Sequence, residues 1–180
     1  WKQLMDTAGF MAPFGPTTCE RRHPYFTVSY EGHECQWNGP SWPYATAQTL
    51  TAMANVLNNY NSGSVITKKD YYSILSIYAN SQRRVNEKGK TVAWIDENLD
   101  PFTGDWISRT RLATWPGNPW PADKGGKERG KDYNHSSFND LVISGLVGIR
   151  PSLDDALTVH PLVPDAWEYF CLDNVPYHGN

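Results

Sequence analysis

Helical periodicity survives in only a few stretches of this 180-residue chain, and the segments between them are as long as the helices themselves or longer. That proportion excludes a plain helical bundle with short turns. It predicts a helical layer whose long loops gather at one end. In the stretch from Pro43 to Asn59, Ala47, Leu50, Ala54 and Leu57 recur at i, i+3, i+7 and i+10, which makes one buried face. Pro43 suits the first helical turn, and Asn58-Asn59 followed by Asn61-Ser62-Gly63 stops the helix. A second helix is predicted to open at Thr67, with Asp70 completing a capping box. Its apolar stripe is Tyr71, Ile74, Leu75 and Tyr78, and it ends near Asn86, before Gly89. A short polar turn between the two makes them an antiparallel hairpin.

A third helix is expected at about residues 136–147, with Ser137 and Asp140 resembling a cap box. Phe138, Leu141, Val142 and Gly145 line one side, Gly148 suits the C-cap, and Pro151 prevents continuation. Residues 1–7 read as the tail of a helix ended by Gly9. Residues 10–42, rich in Pro, Gly and aromatics, read as a long loop with a short strand at 26–30. Residues 88–134 read as loop, with 124–131 as a mobile surface excursion rich in Gly and charge. Past Pro151 the pattern turns to strands at 157–159, 167–172 and from Val175 onward. The fold class is therefore mainly α, with residues 1–150 as helical hairpins and 151–180 as the start of a β-rich appendage.

A net charge of −3 and the lack of a basic stripe argue against a nucleic-acid partner. No apolar run reaches the ~18 residues that a membrane span requires. Cys19, Cys35 and Cys171 are odd in number and lack paired spacing, so buried thiols are expected rather than a disulfide framework. His33-Glu34-Cys35 lacks the ligand spacing of zinc motifs, and neither a metal nor a cofactor is expected. Trp1 is not an initiator Met, and the last residues stop within strand and turn. The chain is thus expected to be a fragment. These ends leave the parent's location unknown, with a periplasmic or secreted one favoured over a cytoplasmic one.

Aromatics make up 13% of the chain, with eight Trp and ten Tyr. They concentrate beside carboxylates in residues 94–106, where Trp94 and Trp106 bracket the acids between Asp96 and Asp105. Trp-rich segments at 37–42 and 115–120 add to them. Carboxylates move protons and indole faces stack on the C–H faces of pyranose rings, so this composition points to a carbohydrate partner. Glu97 follows a short apolar run that could hold it at a strand end. Asp96 points the other way and is expected to act as a hydrogen-bonding brace. Trp37, Trp42, Trp94 and Trp106 are candidate stacking platforms or core residues. Glu31 and Glu34 are candidates for proton transfer or for hydroxyl contacts. Arg21, Arg22 and His23 form a cluster of donors for hydroxyls or a charged substituent, or a solvated charge cluster. His135 is a candidate to orient water or a hydroxyl, or to cap the third helix.

Three segments resemble a known family. Trp37-Asn38-Gly39-Pro40-Ser41-Trp42 is similar to a Trp-Arg-Gly-Pro-Ile-Trp motif, and Glu97-Asn98-Leu99-Asp100-Pro101-Phe102-Thr103-Gly104 to a Glu-x-Tyr-Asp/Asn-Pro-x-Thr-Gly motif. Tyr133-Asn134-His135-Ser136-Ser137-Phe138 stands where the family has a Phe-Ser-Trp segment opening the last helix. The family is that of the (α/α)6 six-hairpin toroid glycosidases, glycoside hydrolase family 63 and the mannosylglycerate-hydrolase-like enzymes. The resemblance spans roughly residues 1–150. It implies an incomplete toroid, inverting hydrolysis of an O-glycosidic bond, and Glu97 as general base. It places the general acid on an Asp upstream of the first motif. Only Asp6 qualifies by position, so the acid is expected outside this chain, which alone would be inactive. Asn38 in place of Arg and Leu99 in place of the aromatic are departures from the pattern. The alternatives are a non-catalytic glycan-binding protein on the same scaffold and a toroid polysaccharide lyase.

Overall fold

The computed structural model describes residues 1–61, 63, 65–117, 121–133, 136–154 and 156–177. It is mainly helical with short strands. Helix α1 spans Pro43–Asn59 and α2 spans Lys68–Ser81. Strands β1 (Arg83–Val85) and β2 (Thr91–Ala93) form an antiparallel hairpin with Arg84 opposite Val92. Helix α3 covers Ile107–Thr114, and single 3-10 turns follow at Ala122–Lys124 and Gly126–Glu128. Helix α4 (Ser137–Asp140) continues as a π-helical segment, Leu141–Val147. Strands β3 (Ile149–Arg150) and β4 (Thr158–Val159) pair antiparallel.

The hairpin forms as its local signals dictate. The Thr67 hydroxyl accepts from the Asp70 amide at 3.2 Å. The Asp70 carboxylate accepts in return from the Thr67 amide at 2.8 Å. Two amides at the helix start that would otherwise lack partners are thereby satisfied. Leu50 and Met53 of α1 meet Ile74 and Tyr71 of α2 in one core cluster, each 0% exposed. Full burial of each such side chain stabilises by about 1.5–3 kcal/mol. The π-helical segment packs on α1 as well, and Leu141 joins the same cluster.

The π geometry has an identifiable cause. The Tyr71 hydroxyl donates to the Leu141 carbonyl at 2.7 Å in a buried setting. A hydroxyl inserted at a helical carbonyl loosens the ladder there. Gly145 makes room for it, since a Cβ at that position would overlap the Tyr71 hydroxyl oxygen. Tyr71→Phe removes the donor and leaves the carbonyl buried. It is expected to destabilise by about 1–3 kcal/mol, read as a lowered denaturation midpoint.

Several expectations are corrected. Residues 1–7 form successive turns rather than a helix, being too short to repay helix nucleation. No strand forms at 26–30, and α2 stops at Ser81, where β1 takes over. The third helix starts at Ser137, and its N-terminal residue Ser136 makes no side-chain cap. Residues 167–172 are not a strand, and neither are 175–177. Trp167, Tyr169, Phe170 and Leu172 are all exposed, and a β segment without a ladder partner gains nothing from its propensity. The thiols are not buried: Cys35 and Cys171 are exposed and Cys19 is intermediate.

Three loops are stitched together below α1. Ser41 pairs with Leu99 through reciprocal amide bonds of 3.0 and 2.9 Å, and Thr17 bridges Ser41 from the other side. Gly39 packs so tightly that a Cβ would overlap the Thr27 carbonyl. This stitching brings the segment carrying Trp37 and Trp42 against the one carrying Glu97.

Candidate active site

Residues 94–106 leave β2 and turn into α3, so a strand end and a helix start hold the acidic loop between them. Asp96, 0% exposed, is its anchor. Its carboxylate accepts from the Glu97 amide at 2.9 Å, the Ser108 hydroxyl at 3.3 Å and the Trp94 indole N–H at 3.4 Å. Burial raises its pKa, and those hydrogen bonds oppose the shift. Asp100 fixes the far end, accepting from the Phe102 amide at 2.8 Å and the Thr103 amide at 3.2 Å. This is the geometry of an Asx turn. Tyr30 donates to the other Asp100 oxygen at 2.8 Å.

Between these anchors the Glu97 side chain enters an open cavity of about 520 Å³, which it lines with Glu34, Cys35, Arg129, Gly130 and Tyr133. Glu97 is half-buried. Its Oε1 accepts a hydrogen bond from Cys35 Sγ at 3.3 Å. Burial pushes the Glu97 carboxyl above the usual range, the Cys35 hydrogen bond pulls it back, and the charges of Glu34 and Asp96 push it up again. Glu34 is 5% exposed, and its Oε2 has no hydrogen-bond partner.

An aromatic row leads away from this cavity. Tyr133 meets Trp42 edge-on at 6.0 Å between ring centroids, and Trp42 stacks on Trp37 at 3.8 Å with an 18° tilt. Trp42 is 1% exposed, and its indole N–H donates to the Gln36 carbonyl. Trp37 is 49% exposed and keeps its outer face open to solvent.

The remaining candidates fall elsewhere. Trp106 is a core residue, 5% exposed, with its N–H on the Arg83 carbonyl. Trp94 carries the cations of Arg84 at 4.1 Å and of Arg109 and Lys131 at 5.1 Å, so its ring serves a charge cluster. Neither Trp42 nor Trp106 is a free platform in this chain. Arg21 donates to the Thr7 carbonyl and lies over the Phe102 ring at 4.9 Å. Arg22 pairs with Asp6 at 2.7 Å and with Glu20 at 2.5 Å, and the His23 ring accepts from the Tyr25 amide at 3.2 Å. None of these three lines the Glu97 cavity. Asp6 is held below the ordinary carboxylate range by the Ala8 amide and Arg22, the opposite of an acid poised to donate. Glu31 is exposed, and its carbonyl accepts from the Arg111 guanidinium at 2.8 Å. His135 lies outside the described residues.

Sequence reasoning missed three participants. Cys35 touches the Glu97 carboxylate across a separation of 62 residues. Gly130 passes so close that a Cβ would overlap the Asp96 Oδ1 atom and lie 3.1 Å from the Glu97 Cβ atom. Residues 124–131 are accordingly no free excursion. They pack on α3, Glu128 pairs with Arg109 at 3.0 Å, and the neighbouring Asp132 amide donates to the Ile95 carbonyl at 2.9 Å. Gly130, one of the glycines that suggested mobility, is what permits this close packing. Arg111 is the third. Buried on α3, it ties the loop at Glu31 to the helix and stands close enough to Glu34 to feel its charge.

A second hollow of about 460 Å³ is lined by Tyr30, Arg83, Arg84, Asp105, Trp106 and Arg109 among others, and Glu97 is not among its walls. No helix among the described residues is long and apolar enough to cross a membrane.

The chain has counterparts among known proteins. Residues 1–136 match the family model of the mannosylglycerate hydrolase MGH1-like glycoside hydrolase domain. A solved sialidase structure is similar over 99% of this chain, with 46% identity and a TM-score of 0.76. That alignment covers 14% of the sialidase chain, so the present chain spans a small part of that protein's length. No curated protein matches.

Proposed function

The chain belongs to the MGH1-like glycoside hydrolase domain family, and from that premise we propose that it forms part of the catalytic domain of an inverting O-glycosidase in which Glu97 is the general base. In this reading, residues 1–150 are the C-terminal hairpins of an (α/α)6 toroid, and 151–180 begin a C-terminal appendage. The substrate is an oligo- or polysaccharide. One observation carries the assignment: Glu97 enters a cavity while its own backbone is clamped from behind by a fully buried Asp96. A general base must be ionised, fixed in direction and able to reach a water molecule. Clamping the amide of Glu97 fixes the direction, and the carboxyl's raised affinity for protons makes it a stronger base.

An inverting pair leaves room for water, with carboxyl groups about 6.5–9.5 Å apart on opposite faces of the sugar. The water gives a proton to Glu97 as its oxygen bonds to the anomeric carbon. The glycosidic bond breaks, and the leaving oxygen takes a proton from the acid. That acid is assigned to another part of the protein, since Asp6 is committed to Arg22. Trp37, supported from behind by Trp42, offers its open face to a sugar ring. Glu34 and Tyr133, which line the cavity, serve in this reading as hydroxyl contacts.

The protein carrying this chain is expected to release a sugar whose anomeric configuration is opposite to that of the glycoside cleaved. A panel of aryl and natural glycosides, with early product followed by NMR, reads this directly. Retention of configuration would overturn the general-base role.

A further inference from the structure

Beside the Glu97 cavity stand His33 and Cys35, two groups that the proposed hydrolysis leaves without a role. His33, Glu34 and Cys35 are consecutive, yet one ligand atom from each lies within 4.8 Å of the others. Two close pairs stand out: Cys35 Sγ to Glu97 Oε1 at 3.3 Å, and His33 Nδ1 to Glu34 Oε2 at 3.4 Å. With metal–ligand bonds of about 2.0–2.3 Å, the edge of a tetrahedral site is roughly 3.3–3.8 Å, so both pairs already have the spacing of adjacent ligands. The second pair also opposes two acceptors. His33 Nδ1 accepts the Cys35 amide at 3.0 Å, so it presents a lone pair there, and Glu34 Oε2 is buried with no hydrogen-bond donor. Burial of a polar oxygen without a donor is costly, and a cation between the two relieves it.

We infer that His33, Glu34, Cys35 and Glu97 form a site for a thiophilic divalent cation of the zinc class, and that its occupation shuts off the general base. The inhibitory half rests on the role proposed for Glu97; the binding half does not. Cysteine, imidazole and carboxylate are the donor set such an ion prefers. Two guanidinium groups, Arg129 and Arg111, stand near these donors. Desolvation, with Glu97 and Glu34 nearby, pushes the thiol up to about 12, against the weaker opposing effect of Arg129. Arg111 faces Glu34 from α3 but directs its hydrogen bonds to the Glu31 carbonyl. A divalent ion would take the place of the thiol proton, which leaves to solvent, forming a metal–sulfur bond as the S–H bond breaks. The same ion takes the His33 Nδ1 lone pair from the Cys35 amide. Glu97 then ligates the metal and can no longer accept a proton from water.

The test uses the full-length protein carrying this chain and Cd²⁺ alone, whose bond to a thiolate gives an ultraviolet charge-transfer band. One equivalent is expected to raise a band that Zn²⁺ displaces and that Cys35→Ser abolishes, while Cys19→Ser and Cys171→Ser keep it. Loss of a group that merely supports a ligand already costs about 10–100-fold in metal affinity, so His33→Ala is expected to weaken Cd²⁺ binding at least tenfold. Zn²⁺ is expected to inhibit the wild type at concentrations that leave the residual rate of Cys35→Ser unchanged. A missing band, or one that survives Cys35→Ser, overturns the site whatever the activity shows. A Cys35-dependent band without inhibition overturns the shut-off. Full turnover by Glu97→Gln overturns the base assignment and leaves the band as evidence for the site.

Discussion

Glu97→Gln is expected to lower kcat by about 10²–10⁴-fold, the range associated with loss of a general base, while KM and the denaturation midpoint change little. The geometry accounts for the selectivity. Gln keeps the side chain's size and an oxygen that can still accept from Cys35 Sγ, now 3.3 Å from Oε1. The clamp from Asp96 acts on the backbone amide and survives the change. What disappears is a group able to accept a proton. Steady-state kinetics with sugar binding measured in parallel separates the two effects. A variant that retains most of its kcat assigns the base elsewhere. A variant that loses sugar binding in step with turnover makes Glu97 a binding residue only.

Gly130→Ala is expected to be the next most damaging change, with kcat/KM lowered about 100-fold, since displacement of a catalytic group by ~1 Å costs rates of that order. An added Cβ at Gly130 overlaps Asp96 Oδ1 and meets the Glu97 amide nitrogen at 3.3 Å. Asp96 cannot yield without dropping its bonds to Glu97 and Ser108. The segment would have to lift instead, taking Arg129 and Tyr133 out of the cavity wall. Gly126→Ala is the control: nothing lies within 4 Å of its Cβ position, and its φ of 50° adds only backbone strain. Such strain costs about 1 kcal/mol in stability, with catalysis near normal. Equal kinetics for the two variants would contradict the placement of residues 124–131 over the site.

The helical hairpin was legible because its signals are local. The Thr67–Asp70 box and the stripes through Leu50 and Ile74 lie within a few residues of what they specify. Helix α3 was not legible. Of its buried residues Ile107, Ser108, Arg111 and Leu112, two are polar, and they are buried because they hold loop groups: Asp96 and Asn98 for Ser108, Glu31 for Arg111. A periodicity test reads such a helix as loop. The third helix could be located, but its π geometry comes from a hydroxyl 70 residues away.

The candidate site divides in the same way. Asp96 as brace and Glu97 as the residue reaching outward follow from alternation along an extended segment, and the structure places both so. The indoles could not be sorted by composition, because Trp106 and Trp37 differ only in what the fold puts beside them. Cys35 and Gly130 carry no sequence signal of their own role. Their contacts with the acidic loop exist only once the loops are stitched at Ser41 and Leu99. Asn38 shows how a departure from a motif is absorbed. It stands where the resembling motif has Arg, and its side chain donates to the Tyr25 carbonyl at 2.8 Å, serving loop structure instead of a cationic contact.

The most direct measurement is diffraction from crystals of the full-length Glu97→Gln protein holding an intact glycoside. The account predicts a sugar in the cavity lined by residues 34, 35, 97 and 133, with one water between its anomeric carbon and the residue 97 side chain. A sugar seated instead in the hollow of Arg83, Arg84 and Arg109, with residue 97 facing empty solvent, would contradict it.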